Sequence, residues 1–69
     1  MTNLFTGDLV KTAISNQTLV LKAEGENALL FDLKDKKYVF AKGVENQNGR
    51  VFWLQGEYFN QLPLDLNLF

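Results

Sequence analysis

The stretch KYVFAKGVENQNGRVFWLQGEYF, residues 37–59, carries the strongest local folding signal in the chain. Asn48-Gly49 stands between two runs rich in aromatic and β-branched residues, and this dipeptide favours the two-residue turn of a β-hairpin. In that register Val44 faces Trp53 across the hairpin. The stretch therefore predicts two antiparallel strands, KYVFAKGV and RVFWLQGE, joined by a tight turn.

Two further strands are predicted upstream of this hairpin. They are TLVLKAE, residues 18–24, and ALLFDLK, residues 28–34. The segment EGEN separates them, with Gly25 able to take a positive φ in a turn. The segment KDKK then fits a type I turn that leads into the hairpin. Together the four strands predict an antiparallel meander.

Residues 4–15 are predicted to form the only helix, because their apolar residues fall near one another at 3.6 residues per turn. Those residues are Leu4, Phe5, Leu9, Val10, Ala13 and Ile14. Thr6 or Asp8 can cap the start of the helix, and Ser15-Asn16 can end it. The Val, Thr and Ile of DLVKTAI leave a strand as the alternative. We therefore predict an α+β fold in one small domain, residues 1–69, with an N-terminal helix, the four-stranded meander and an extended C-terminal edge segment.

Both faces of the predicted sheet are apolar. One face carries Tyr38, Phe40, Val44, Val51 and Trp53, and the other carries Val39, Ala41, Phe52, Leu54 and Tyr58. An antiparallel sheet with one solvated face alternates apolar and polar residues instead. Since one helix covers one face, the second needs the C-terminal tail, a second copy of the chain or another protein. A homodimer is therefore predicted.

Length and composition limit the classes of function. The chain has 69 residues and contains neither cysteine nor histidine. It therefore lacks disulfides and the usual zinc ligands, and oligomerisation becomes the expected stabiliser of so small a domain. The commonest general base and the best nucleophile are missing as well. We predict a protein that is not an enzyme, with no catalytic residue, metal or cofactor.

Charge and hydropathy limit the partners. Seven Lys and Arg residues against eight Asp and Glu residues provide no basic field for nucleic acid. The start lacks the features of a signal peptide, and the longest apolar run is too short to span a membrane. We expect a soluble, cytoplasmic protein without a membrane partner. The turn of residues 34–37, together with Lys42 and Arg50, can form a basic patch beside Tyr38 and Phe40, which leaves a small nucleic-acid-binding sheet protein as an alternative.

The segment FWLQGEYF concentrates four of the nine aromatic residues. Trp53, Tyr58 and Phe59 are candidate partner-binding residues, because Trp and Tyr are enriched at the centres of protein interfaces. The alternative is that they form the core of the domain. We predict a protein–protein interaction module, an accessory or inhibitory factor that occludes a partner's surface. Its W-x-x-G-x-Y-F pattern resembles small proteins of phages and mobile elements.

The C-terminal segment QLPLDLNLF, residues 61–69, places leucines at alternate positions, which is the period of a strand. Its first six residues resemble the bacterial sliding-clamp-binding peptide, and the final Leu-Phe pair resembles the end of the shorter form of that peptide. The resemblance implies a replication-associated factor bound to the clamp. It implies these contact residues: Gln61 as the polar anchor, Leu62, Leu64 and Leu66 as apolar anchors, and Leu68 and Phe69 in a second register. Packing of the tail on its own sheet or on a dimer mate is the alternative.

Overall fold

The computed structural model describes residues 4–61, and this part of the chain is all-β. Its strands are β1 (Leu9–Val10), β2 (Thr18–Glu24), β3 (Asn27–Asp32), β4 (Lys37–Lys42), β5 (Glu45–Gln47), β6 (Arg50–Phe52) and β7 (Gln55–Phe59). Five strands form an antiparallel sheet in the order β1-β2-β3-β4-β7, and β5 pairs with β6. Residues 4–61 contain no helix, so the predicted α+β class is wrong. This part of the chain accordingly has no helix that could cross a membrane.

A turn and a short strand replace the predicted N-terminal helix. Gly7 has a φ of 94°, in the left-handed region that interrupts a helix and that glycine adopts at little cost. The Asp8 carboxylate accepts a hydrogen bond of 3.0 Å from the backbone N–H of Phe5. Gly7 N–H donates to the Val20 carbonyl, and Val20 N–H donates to the Asp8 carbonyl. The backbone of this segment thus finds its partners in β2, and the strand alternative describes Leu9–Val10.

Strands β4 to β7 form one long hairpin around the Asn48-Gly49 turn. The φ angles of these two residues are 55° and 88°, as a type I′ turn requires. Gln47 faces Arg50 next to the turn, and Tyr38 faces Phe59 at the far end. Tyr38 is as far from Gln47 along the chain as Phe59 is from Arg50, so the two pairs share one register. The predicted register is therefore confirmed in both ladders, but the predicted pair of Val44 and Trp53 belongs to neither of them.

The hairpin ladder opens at Gly43 and Val44, where the two predicted strands are each divided. Gly43 has a φ of 67°. Val44 N–H donates to the Glu26 carbonyl at 2.8 Å. The third predicted strand becomes β4 and β5, and the fourth becomes β6 and β7. The prediction of four continuous strands is wrong here because positive φ at Gly43 bends the chain.

The core lies between the inner face of the five-stranded sheet and the β5–β6 hairpin. It contains Leu4, Val10, Val20, Ala28, Leu30, Val39, Ala41, Val44 and Val51. Val44 and Val51 were expected on the same face as Tyr38 and Phe40. The bend at Gly43 instead turns both valines into the core with Val39 and Ala41. The strand period predicted the faces only as far as the bend.

Candidate partner-binding cleft

Residues 11–17, which connect β1 to β2, form one wall of a cleft. Lys11 N–H donates to the Gly49 carbonyl at 2.8 Å, and Val51 N–H donates to the Lys11 carbonyl at 2.7 Å. Lys11 and Arg50 therefore pair in parallel, although β1 itself pairs with β2. These bonds hold the connection against the tip of the hairpin.

The hydroxyl of Thr12 shapes this connection. Thr12 Oγ1 accepts hydrogen bonds from the N–H groups of Ile14, at 3.1 Å, and Ser15, at 3.3 Å. It also lies 3.2 Å from the hydroxyl oxygen of Thr18, a buried residue of β2. Local hydrogen bonds of this kind favour turns over helices. These bonds fix the backbone conformation of the short connection between β1 and β2.

The aromatic end of the cleft is a cavity of about 150 Å³. It is lined by Ala13, Val51, Phe52, Trp53 and Tyr58. The side chains of Phe52 and Tyr58 are 49% and 57% exposed. Trp53 lies close over Gly56, since a Cβ atom built at Gly56 would be 2.8 Å from the indole Nε1. Small-molecule sites measure roughly 300–1,000 Å³, so this cavity suits a single side chain.

The cationic end of the cleft is a larger recess of about 450 Å³. It is lined by Lys11, Thr12, Ala13, Asn16, Arg50, Val51 and Phe52. Val51 and Phe52 also line the aromatic end, so the two cavities adjoin. A third recess lies along residues 12–17 and reaches Lys34. Among the described residues that line these recesses there is no carboxylate, although the chain carries a net charge of −1. The cleft therefore favours an anionic group.

The cleft contains two of the predicted partner-binding residues, Trp53 and Tyr58. Phe59 lies half-buried on the opposite face of the sheet, where it pairs with Tyr38. Gln61 is exposed. The remaining candidates lie outside the described residues: Leu62, Leu64, Leu66, Leu68 and Phe69.

The sequence places Arg50 in the basic patch and Phe52 in the aromatic segment, but it neither singles out Lys11 nor joins these three cleft residues into one site. Lys11 is far from the other two along the chain. It reaches them through the parallel pairing with β6. The Asn48-Gly49 turn predicts the position of Arg50 in the hairpin. It does not predict the pairing of Arg50 with Lys11.

Metal-binding chemistry has no candidate site in residues 4–61, where no group of three or more His, Cys, Asp or Glu side chains comes together. Asp32 is a buried carboxylate, 1% exposed. Its Oδ1 accepts a hydrogen bond of 3.0 Å from Lys34 N–H and so supports the β3–β4 turn. This bond gives Oδ1 a structural role in the turn, whereas the buried Oδ2 has no hydrogen-bond partner among the described residues.

Comparisons with known protein families, with curated proteins and with solved structures find no match to this chain. The functional conclusion therefore depends on the geometry and the chemistry of the cleft.

Proposed function

We propose that the chain is a non-enzymatic protein-binding module whose cleft receives an acidic and apolar segment of a partner protein. The observation that carries this proposal is the convergence of the only tryptophan, the only arginine and an exposed tyrosine at one cleft. Trp, Tyr and Arg are the residue types most enriched at interface hot spots. Binding would occlude the segment of the partner that enters the cleft.

The two ends of the cleft have different roles in this proposal. The aromatic end takes one apolar side chain, in contact with Phe52, Trp53 and Tyr58. The cationic end takes a neighbouring carboxylate, which Arg50 can bind through two parallel hydrogen bonds. Lys11 is already held by its backbone hydrogen bonds to the hairpin. The backbone at this end of the cleft is therefore preorganised, which reduces the entropy lost on binding, while the exposed Lys11 side chain still has to be ordered.

The variant Phe52→Ser tests the protein-binding proposal, with Phe5→Ser as its matched control. Both rings are exposed, but Phe5 does not line the recesses of the cleft. Losing a hot-spot side chain costs about 2 kcal/mol or more, which is roughly a 30-fold loss of affinity. We expect wild type and Phe5→Ser to capture the same protein from a lysate of the source cell, and Phe52→Ser to lose it.

Titration of the captured protein against all three variants then gives their affinities. Equal affinity of the Phe52→Ser and Phe5→Ser variants would contradict the proposal. If neither the Phe52→Ser nor the Phe5→Ser variant captures the protein, the partner binds at a surface other than the cleft.

Binding of single-stranded nucleic acid is the second candidate function. It is favoured by Lys11, Arg50 and Lys34 lining a groove that also holds exposed aromatic rings. The sequence-based version of this hypothesis placed Phe40 beside the basic groups as a ring for base stacking, and the structure does not favour that role. Phe40 is 3% exposed and therefore offers no ring face to a base.

Salt dependence tests this second candidate. Three phosphate contacts predict a slope of log K against log salt of about −2 for a single strand. We expect Arg50→Gln to reduce the magnitude of that slope by about 0.7, whereas Lys22→Gln, in β2, leaves it unchanged. The measurement is fluorescence anisotropy of a labelled oligonucleotide at several salt concentrations. No binding at low salt would eliminate this candidate.

The sliding-clamp hypothesis remains a prediction, because its anchor residues apart from Gln61 lie outside residues 4–61.

A further inference from the structure

The outer face of the five-stranded sheet, opposite the core, carries an apolar row from one edge to the other. The pairing register places on this row Leu9, Leu19, Phe31, Tyr38 and Phe59, one from each strand. The rings of Phe31 and Tyr38 lie 4.8 Å apart. We call these five residues the outer row. It ends at Phe59, the last residue of β7.

Two residues beside the outer row are more buried than an uncovered sheet face allows. Leu29 and Phe40 pair on this face and are 5% and 3% exposed, yet neither belongs to the core cluster. The β5–β6 hairpin contributes Val44 and Val51 to the core on the inner face, so none of the seven strands described lies over the outer face. Side chains this buried have other atoms packed above them. The part of the outer face around Leu29 and Phe40 is therefore covered, whereas Leu9 at the β1 edge is 64% exposed.

We propose that the chain's own residues 62–69 cover the outer face by lying across the outer row. The chain leaves β7 at Phe59, beside one end of that row. Crossing from β7 to β1 spans four strand spacings, or about 19 Å. Eight extended residues span about 26 Å, so the segment is long enough to reach the far edge.

The sequence of this segment fits such a cover. Leu62, Leu64, Leu66 and Leu68 lie on one side of an extended chain. Pro63, Asp65, Asn67 and Phe69 fall on the other side, so with the leucines on the outer row the polar groups of Asp65 and Asn67 face water. Pro63 lacks an N–H and suits a segment that lies over a sheet better than a strand within one. The tail is then a structural part of this protein, and its cover removes an exposed apolar face that would favour association.

A spin label on the variant Asn67→Cys tests where the segment lies. The natural chain has no cysteine, and Asn67 is on the polar side, so the label leaves the leucines intact. We expect the backbone amide signals of Phe31 and Tyr38 to lose most of their intensity by paramagnetic broadening. The signals of Gln47 and Arg50, at the hairpin tip over the inner face, should retain most of theirs.

Mixing spin-labelled protein with unlabelled, isotope-enriched protein separates the possible occupants of the outer face. No broadening in the mixture, together with broadening in the labelled protein alone, supports the proposal. Broadening in the mixture would overturn it in favour of a second copy of the chain. No selective broadening in either sample would overturn it in favour of a displayed tail.

The triple variant Leu64→Ser/Leu66→Ser/Leu68→Ser tests the same proposal by stability, with Asp65→Ser/Asn67→Ser as its control. We expect the triple variant to melt about 10 °C or more below wild type and the control to melt with wild type. Equal melting of both variants would overturn the proposal. If the triple variant does not fold, the spin-label measurement decides, because it leaves every leucine in place.

Discussion

Replacing Leu30 with alanine is expected to lower the free energy of unfolding by about 2–5 kcal/mol. Leu30 is fully buried in the central strand β3, where it pairs with Val20 and Val39. A domain of this size has a total stability of roughly 3–10 kcal/mol. The loss is therefore a large fraction of the total, and urea unfolding followed by circular dichroism measures it.

Leu54→Ala is the matched control for this prediction, because it removes the same atoms from a side chain that is 88% exposed. Its effect should stay within about 0.5 kcal/mol. Equal unfolding midpoints for the Leu30→Ala and Leu54→Ala variants would contradict the position of the core between the sheet and the hairpin.

Gly56→Ala is expected to lower the free energy of unfolding by about 1–3 kcal/mol, because it overpacks the contact between β7 and Trp53. A Cβ atom at this position would lie 2.8 Å from Trp53 Nε1 and 3.2 Å from Val39 Cγ2. Val39 is buried in the core and has little freedom to move, so the indole must shift. Thermal unfolding should drop by about 4–8 °C per kcal/mol, and the fluorescence of the only tryptophan should report its new environment.

Glu57→Ala, at the exposed neighbouring position, is the control for this substitution and should melt with wild type. Because Trp53 lines the aromatic end of the cleft, Gly56→Ala should also weaken capture of the partner, as Phe52→Ser does. Wild-type melting and wild-type indole emission in the Gly56→Ala variant would contradict the close packing of Trp53 on Gly56.

The hairpin could be predicted from the sequence because its information is local. Asn48 and Gly49 both adopt the positive φ that a type I′ turn needs, and the turn then sets the register of every later pair. Gly25 also lies in a turn at positive φ, as expected. The prediction of strand TLVLKAE matches β2 along its whole length.

The N-terminal helix could not be rejected on the same local grounds. Leu4 and Val10, both chosen from the helical period, do lie in the core. Their backbone is nevertheless extended or turned, because Gly7 and Asp8 form hydrogen bonds with Val20. Tertiary hydrogen bonding outweighed a weak periodic preference, as it often does for short segments.

Only the aromatic end of the candidate cleft could be predicted from the sequence. Trp53 and Tyr58 stood out by residue type, as interface residues do. The cationic end was not predictable, because Lys11 and Arg50 meet only through a pairing between residues distant in the chain. The bend at Gly43 adds a second nonlocal step, since it moves Val44 and Val51 onto the inner face.

The sequence by itself determined the turns at Gly25 and Asn48-Gly49, the register next to the second turn and the absence of cysteine and histidine chemistry, because each of these is a property of adjacent residues or of composition. Only the tertiary structure decided the all-β class, the division of the hairpin and the joining of Lys11 to β6. These features depend on which distant backbone groups satisfy one another, and neither periodicity nor propensity specifies that choice.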